Sequence, residues 1–247
     1  MGTAARLHGA GVVAAKGVFM HGLRELAKRR NAEWARAVWF NRDFKTLIAS
    51  MDADELAEVL SSLTSLRKLD YQAEAVLAAV CAHDNVSVLN FLVGRLKQEA
   101  DERSPGREAD VFEEDAFEAI PVHLHQLNKL LAKEPRALVK ALREGFDDEA
   151  RSMFPYRGDA RLLKAVFPNF ADPLPVLLQE LIAGPDPTDI DFSLSVLRAF
   201  GGGTPILETV KSIVKVVPEK SRAWNELAAA LETTGVVMGE YGLAEAF

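Results

Sequence analysis

Cysteine is almost missing from this 247-residue sequence, and several common functional motifs are missing as well. The single cysteine, Cys81, excludes an intrachain disulfide and a zinc site built from cysteines, and it fits a reducing compartment such as the cytoplasm. No apolar run approaches the roughly 20 residues needed to cross a bilayer. No segment matches the glycine-rich patterns that bind nucleotide phosphates. We therefore expect a cytoplasmic protein with no membrane span and no cofactor.

Side chains arranged for catalysis or metal binding are equally scarce. His123 and His125 are two residues apart in a segment whose pattern predicts a helix, so they point about 200° apart and cannot share one metal ion. Cys81 and His83 have no third group to orient them as a nucleophile and its base. Four carboxylates are predicted to lie on polar helix faces: Glu55, Glu58, Glu74 and Glu180. The sequence thus predicts no enzyme, and no catalytic, cofactor-binding or metal-binding residue.

Charge is unevenly divided along the chain. Residues 1–45 contain nine Lys or Arg and three Asp or Glu, a net charge of +6, whereas the remainder contains 20 and 33, a net charge of −13. Binding along a nucleic acid needs a continuous positive face, which so acidic a remainder does not favour. The acidic stretch 101–118, interrupted by Pro105 and Gly106, predicts a solvated loop. A docking loop for a basic partner is the alternative.

The alternation of apolar and polar residues that is typical of strands is rare in this sequence, whereas the apolar spacing that is typical of helices is frequent. Apolar residues recur at positions i, i+3, i+4 and i+7, which predicts successive helices of about 11–16 residues. Asp52 and Asp70 precede two of these stripes as N-caps, and Glu55 completes a capping box with Asp52. Proline suits the first turn of a helix, because its missing N–H has no intrahelical partner there. The prolines that precede stripes are Pro121, Pro135, Pro173, Pro187 and Pro205.

The short joints between stripes predict how the helices pack. Sequential helices with short connections become antiparallel neighbours, and one pair alone cannot bury enough apolar surface to offset the entropy of ordering. Stacking further pairs predicts an all-α fold, a right-handed α-solenoid. On this rhythm the chain resembles the HEAT/armadillo-like superfamily over residues 46–235. The predicted segments are a basic helical segment 1–45, a solenoid body 46–235 with its loop 101–118, and an apolar tail 236–247.

A second resemblance concerns two short stretches. Residues 118–121 and 233–242 are similar to the helical tails of large bacterial multidomain proteins, defence NTPases among them. This resemblance implies a recognition or scaffolding segment with no activity of its own. Residues 1–24 lack acidic side chains, which leaves open both an ordinary beginning and a targeting segment.

The candidate contact surface is a basic and aromatic stretch. Arginine and tryptophan are enriched at the energetic centres of protein interfaces, and they also suit nucleic acid. The candidate partner-binding residues are Arg29, Arg30, Trp34, Arg36 and Trp39. The four-residue spacing of Trp34 and Val38 leaves open the alternative that this stretch is a core or capping helix.

We therefore expect a non-enzymatic scaffold module that binds a protein partner within a larger bacterial-type assembly. The alternative is a HEAT-like nucleic-acid-binding protein that resembles the alkylpurine DNA glycosylases, although no catalytic acid or aromatic residue can be matched by position. A third hypothesis is a helical regulatory domain of a longer chain. The sequence does not determine the oligomeric state.

Overall fold

The computed structural model describes residues 1–39, 41–102, 116–145 and 158–167 of the chain. These residues form α-helices and no strand, which confirms the predicted all-α character for this part of the protein. The chain divides into two compact units, Met1–Gly145 and Phe146–Phe247. Within the described ranges, no helix combines the length and the apolar character that a membrane span requires.

Nine described helices belong to the first unit and one to the second. They are α1 (Gly2–Gly9), α2 (Ala14–Lys28), α3 (Trp34–Val38), α4 (Arg42–Ala49), α5 (Ala53–Ser62), α6 (Tyr71–Cys81), α7 (Asn85–Glu102), α8 (Leu127–Leu131), α9 (Pro135–Gly145) and α10 (Gly158–Val166). Helix α7 has 18 residues, whereas α3 and α8 have five each. The predicted lengths of about 11–16 residues are therefore wrong at both ends of the range.

Local capping interactions begin the helices where the sequence predicts. The Asp52 carboxylate accepts from the backbone N–H of Glu55 (2.9 Å), and the Glu55 carboxylate accepts from the backbone N–H of Asp52 (3.0 Å), which completes the capping box. The Asp70 carboxylate accepts from the backbone N–H of Ala73 (2.8 Å) at the start of α6. Pro135 is the first residue of α9. These local predictions are confirmed.

The prediction that a helix follows Pro121 is wrong. The segment 116–126 contains no helix, and the next helix begins only at Leu127. The backbone carbonyl of Ala119 accepts a hydrogen bond from the side chain of Arg95 in α7, so tertiary contacts take the place of helical hydrogen bonds here.

The predicted loop over residues 101–118 is also too long at both ends. Helix α7 continues through Glu102. At the other end Phe117 is buried, and the backbone N–H of Glu118 donates to the backbone carbonyl of Arg67 (2.8 Å). Residues 103–115 lie outside the described residues.

The helices of the first unit have a regular set of neighbours. Helix α2 contacts α5, α5 contacts α7, and α7 contacts α9. In the same way α4 contacts α6, and α6 contacts α8. Helices α6 and α7 also contact each other, so these two helices link the two sets. Helices α1 to α4 contain most of the basic segment 1–45, and they pack onto α5 and α6.

An aromatic cluster anchors the first helices of this unit. The ring of Phe19 in α2 lies 6.0 Å from the rings of both Trp34 and Phe44, measured between centroids. All three side chains are buried. Aromatic rings at such separations add about 0.5–1.5 kcal/mol beyond the free energy of their burial. The cluster therefore joins α2, α3 and α4.

Several predictions lie outside the described residues. They are the helix starts at Pro173, Pro187 and Pro205, the polar position of Glu180, and the apolar tail 236–247.

Candidate functional site

A groove runs along α6 between α4 and α8 and encloses about 390 Å³. Alanine side chains from α6 form its floor, and basic, polar and apolar side chains form its walls. We call it the α6 groove and define it by its lining residues: Lys45, Ala75, Ala78, Ala79, Ala82, His83, His125, Gln126, Lys129 and Leu130.

The floor of the groove follows from the sequence of α6. Ala75, Ala78 and Ala82 are spaced by three and four residues, so they lie on one face of the helix. The opposite face is buried, with Val76 and Leu77 fully inaccessible to solvent. Because the alanine methyl is the smallest apolar side chain, the open face of α6 leaves space between the helices on either side.

A buried carboxylate positions the wall that α8 provides. Glu74 in α6 accepts from the backbone N–H of Gln126 and from that of Leu127 (2.9 Å), at the first turn of α8. A negative charge at this end of a helix is favourable, because the free N–H groups there carry partial positive charge. The Glu74 side chain is only 2% exposed, so its predicted place on a polar face is wrong.

A buried arginine holds the irregular segment that precedes α8. Arg95 in α7 donates from Nε to the carbonyl of Ala119 (2.8 Å) and from Nη2 to that of Glu118 (2.7 Å). Its Nη1 donates to the carbonyl of Leu66 (2.7 Å), on the far side of the guanidinium. The guanidinium also lies over the ring of Phe117, with 4.5 Å between Cζ and the ring centroid. Arg95 thus joins two loops that no regular hydrogen-bond ladder connects.

The electrostatic surroundings keep this arginine charged. Burial lowers the pKa of Arg95 to about 10, and the negative charges of Glu99, Glu118 and Glu102 act in the opposite direction. At neutral pH the guanidinium therefore remains protonated and can donate all its hydrogen bonds. Glu99, one helical turn from Arg95, is also buried and accepts from the backbone N–H of Ala119 (3.5 Å).

Exposed aromatic side chains lie at one end of the α6 groove. Tyr71, the first residue of α6, shares the face of Ala75 and Ala78, and its ring meets that of Trp39 edge-on with 5.5 Å between centroids. The centroid of the His125 ring lies 6.1 Å from that of Tyr71. Trp39 is 37% exposed and Tyr71 48% exposed. Of these three rings, that of His125 belongs to the groove lining, so Trp39, a predicted contact residue, lies beside the groove through its contact with Tyr71.

The groove has basic walls and no carboxylate among its lining residues. Lys45 and Lys129 are exposed on α4 and α8, and neither has an ion-pair partner among the described residues. His83 and His125 add two imidazole groups. A groove of this composition favours a ligand that carries negative charge.

The predicted contact residues are placed in different environments. Trp34 is 3% exposed within the aromatic cluster, so a partner could not touch its ring. Arg36 is exposed and pairs with Glu33 (2.9 Å) and Asp70 (3.4 Å). The two remaining predicted residues, Arg29 and Arg30, are exposed after the end of α2.

The cysteine and histidine side chains do not form a reactive or metal-binding cluster in the described part of the chain. Cys81 is buried, and desolvation together with the negative charge of Asp84 raises the pKa of its thiol to about 11. A nucleophilic cysteine needs the opposite shift. His123 and His125 lie in the irregular segment before α8, so their predicted helical setting is wrong. No group of three potential metal-ligating side chains occurs among the described residues.

Sequence reasoning missed the three buried charges, although a signal for them existed. Arg95 is three residues after Leu92, and Glu99 is three residues after Leu96, so both lie near the apolar stripe of α7. Glu74 is the only charged residue of α6, a helix that has no polar face to receive it. A charge on an apolar face signals a specific buried partner. The amino-acid sequence carries no comparable signal for the groove, because alanine is common in any helix.

Comparison with protein-family models, with curated proteins and with solved structures finds no match to this chain.

Proposed function

We propose that this protein is a non-enzymatic scaffold module of the α-solenoid type, which binds a protein partner through the α6 groove. The proposal places it in the cytoplasm, as a component of a larger bacterial-type assembly. The buried, unreactive thiol of Cys81 supports a reducing compartment.

The order of helix neighbours supports the solenoid. Helices α2, α5, α7 and α9 follow one another in contact, and α4, α6 and α8 do the same. In a solenoid of helix pairs, each pair contacts the next pair along two such rows. A closed bundle would instead bring early and late helices together around one core.

The sequence separation of three long-range ion pairs gives a second support. Arg24 pairs with Glu58 at 2.7 Å, a separation of 34 residues in the chain. Arg36 and Asp70 are also 34 residues apart. Arg67 and Glu102 are 35 residues apart. A recurring separation of this size is typical of stacked repeats, whose periods are about 20–50 residues.

The α6 groove is the observation that carries the binding function. Its floor is apolar and its walls are basic, and Glu74 and Arg95 hold the backbone around it through buried hydrogen bonds. Binding costs less entropy when the site is already ordered. A groove whose described lining contains no paired acid and base fits recognition better than acid–base catalysis.

The experiment is a pull-down from an extract of the source organism with the immobilised full chain. The variant Ala78→Phe fills the groove, and Ala57→Phe places the same side chain on an exposed position of α5. We expect a specific protein to be retained by the wild type and by Ala57→Phe, and to be lost with Ala78→Phe. Far-UV circular dichroism and thermal melting establish that both variants are folded. Retention of no protein at low salt, or equal retention by all three chains, would contradict the proposal.

Nucleic-acid binding is the second candidate, favoured by the exposed aromatic end of the groove beside Lys45 and Lys129. A DNA mobility-shift assay at low salt tests it. The assay compares the wild type with the triple variant Arg29→Glu/Arg30→Glu/Arg36→Glu. For a glycosylase, the groove lacks the required acid, because no carboxylate is among its described lining residues.

A further inference from the structure

We infer that the partner of the α6 groove is an acidic peptide segment, with carboxylates that bind Lys45 and Lys129 and an apolar side chain that rests on the alanine floor. The inference rests on the proposed function and specifies the chemistry of the partner.

The charges of the groove walls support the acidic character. Lys45 on α4 and Lys129 on α8 approach the groove from opposite sides, and neither is neutralised by a described acid. Arg24 and Lys16, by contrast, pair across helices with Glu58 and Glu55. Two bases left without acids on facing walls are complementary to carboxylates that enter between them.

The floor supports a peptide with an apolar side chain. From Ala75 to Ala82 the groove follows α6 for about 10 Å, since each helical residue rises about 1.5 Å. An extended peptide of about three residues covers that length. The methyl groups of Ala75 and Ala78 offer apolar contact, and Tyr71 and Trp39 add aromatic surface at one end.

The distribution of charge favours a peptide over a nucleic acid. A nucleic acid strand presents a phosphate at every nucleotide and is bound by a series of cations along its path. At the aromatic end, Arg36 is already paired with Glu33 and Asp70. The described lining of the groove contains two lysines, Lys45 and Lys129, and one or two carboxylates suffice to pair with them.

In the test, peptides that bind the full chain are selected from a display library of random octapeptides. The double variant Lys45→Glu/Lys129→Glu reverses the charge of the walls. The matched control Lys68→Glu/Lys97→Glu makes the same change at exposed positions outside the groove. We expect the wild type to enrich peptides with at least two acidic residues and one apolar residue. Their affinity should fall about tenfold in the groove variant, stay within about twofold in the control, and weaken with added salt.

Three results would overturn the inference. They are the failure to enrich any peptide, the enrichment of peptides without acidic residues, and equal losses of affinity in the two double variants. Displacement of the peptide by oligothymidylate, with the oligonucleotide itself sensitive to the groove variant, would assign the groove to nucleic acid. If Ala78→Phe abolishes capture of the cellular partner but the charge reversal does not, the proposed function stands and this inference fails alone.

Discussion

At the scale of single residues, one buried side chain, that of Arg95, holds several backbone segments together through hydrogen bonds. Its guanidinium reaches the carbonyls of Leu66, Arg67, Glu118 and Ala119, which belong to segments far apart in the chain. A buried charge is costly unless hydrogen bonds surround it, and here four carbonyls do so. Removing the guanidinium would leave those carbonyls buried without their donors.

We predict that Arg95→Met lowers the free energy of unfolding by about 3 kcal/mol, because methionine fills the space but donates no hydrogen bond. Urea denaturation followed by circular dichroism measures the change. Lys97→Met is the control on the exposed face of the same helix, and it should change stability by less than about 0.5 kcal/mol. A loss below about 1 kcal/mol for Arg95→Met would show that the carbonyls find other donors.

Cys81 gives a prediction about pH. Because burial raises its pKa to about 11, the folded chain keeps the thiol proton while the unfolded chain releases it near pH 9. The stability from this group is therefore complete below pH 9 and decreases as the pH rises toward 11. Thermal melts of the wild type and of Cys81→Ala should diverge across this range. Parallel melting curves would contradict the raised pKa.

The same thiol should resist alkylation in the native protein. The thiolate is the reactive form, and it is both rare and buried in the fold. At pH 8 we expect iodoacetamide to modify the native chain at least about a hundredfold more slowly than the chain in guanidinium chloride, as measured by mass spectrometry.

At the scale of helices, the elements begin through local interactions and are placed by distant ones. The capping box of α5 lies within four residues of chain, but Glu55 also accepts from Nζ of Lys16 in α2 (2.7 Å). One side chain thus both begins α5 and joins it to its neighbour. Helix α8 shows the other extreme, because its five residues are positioned by Glu74, more than 50 residues earlier.

We predict that Asp52→Ala destabilises the first unit by about 1 kcal/mol, because the first turn of α5 loses its side-chain acceptor. Asp52→Asn should retain most of the stability, because asparagine is an equally good N-cap. The control Asp54→Ala removes an equal charge from the same turn without removing the cap. Denaturant unfolding of the three variants checks the order. Equal effects of Asp52→Ala and Asp54→Ala would attribute the result to charge alone.

At the scale of the whole molecule, the first compact unit contains the contacts on which the groove depends. The partners of Glu74 and Arg95 all lie within Met1–Gly145. This unit is therefore the natural piece to isolate.

We predict that residues 1–145 fold by themselves with a cooperative thermal transition and a helical circular dichroism spectrum. Residues 1–102 should not, because that fragment lacks α8, α9 and the carbonyls of Glu118 and Ala119, and so deprives Glu74 of its backbone donors and Arg95 of two of its four acceptors. Cooperative unfolding of the shorter fragment would show that these buried bonds are dispensable.

Most of the local structure in the described residues could be predicted from the sequence. The starts of α5, α6 and α9 at Asp52, Asp70 and Pro135 were predictable, because caps and first-turn prolines act within one helical turn. The stretch after Pro121 was not, since its carbonyls bond to a side chain in another helix. The groove could not be predicted either, because an alanine face becomes a cavity only when helices flank it.

The sequence by itself determined that this part of the chain is helical and where α5, α6 and α9 begin, because those choices depend on apolar spacing and on side chains a few residues away. Tertiary structure alone decided that Glu74 and Arg95 are buried, and that Lys45 and Lys129 line the same groove. The physical reason is that a buried charge is unfavourable without hydrogen-bond partners, and the partners of these two side chains are backbone groups 23 to 53 residues distant in the chain.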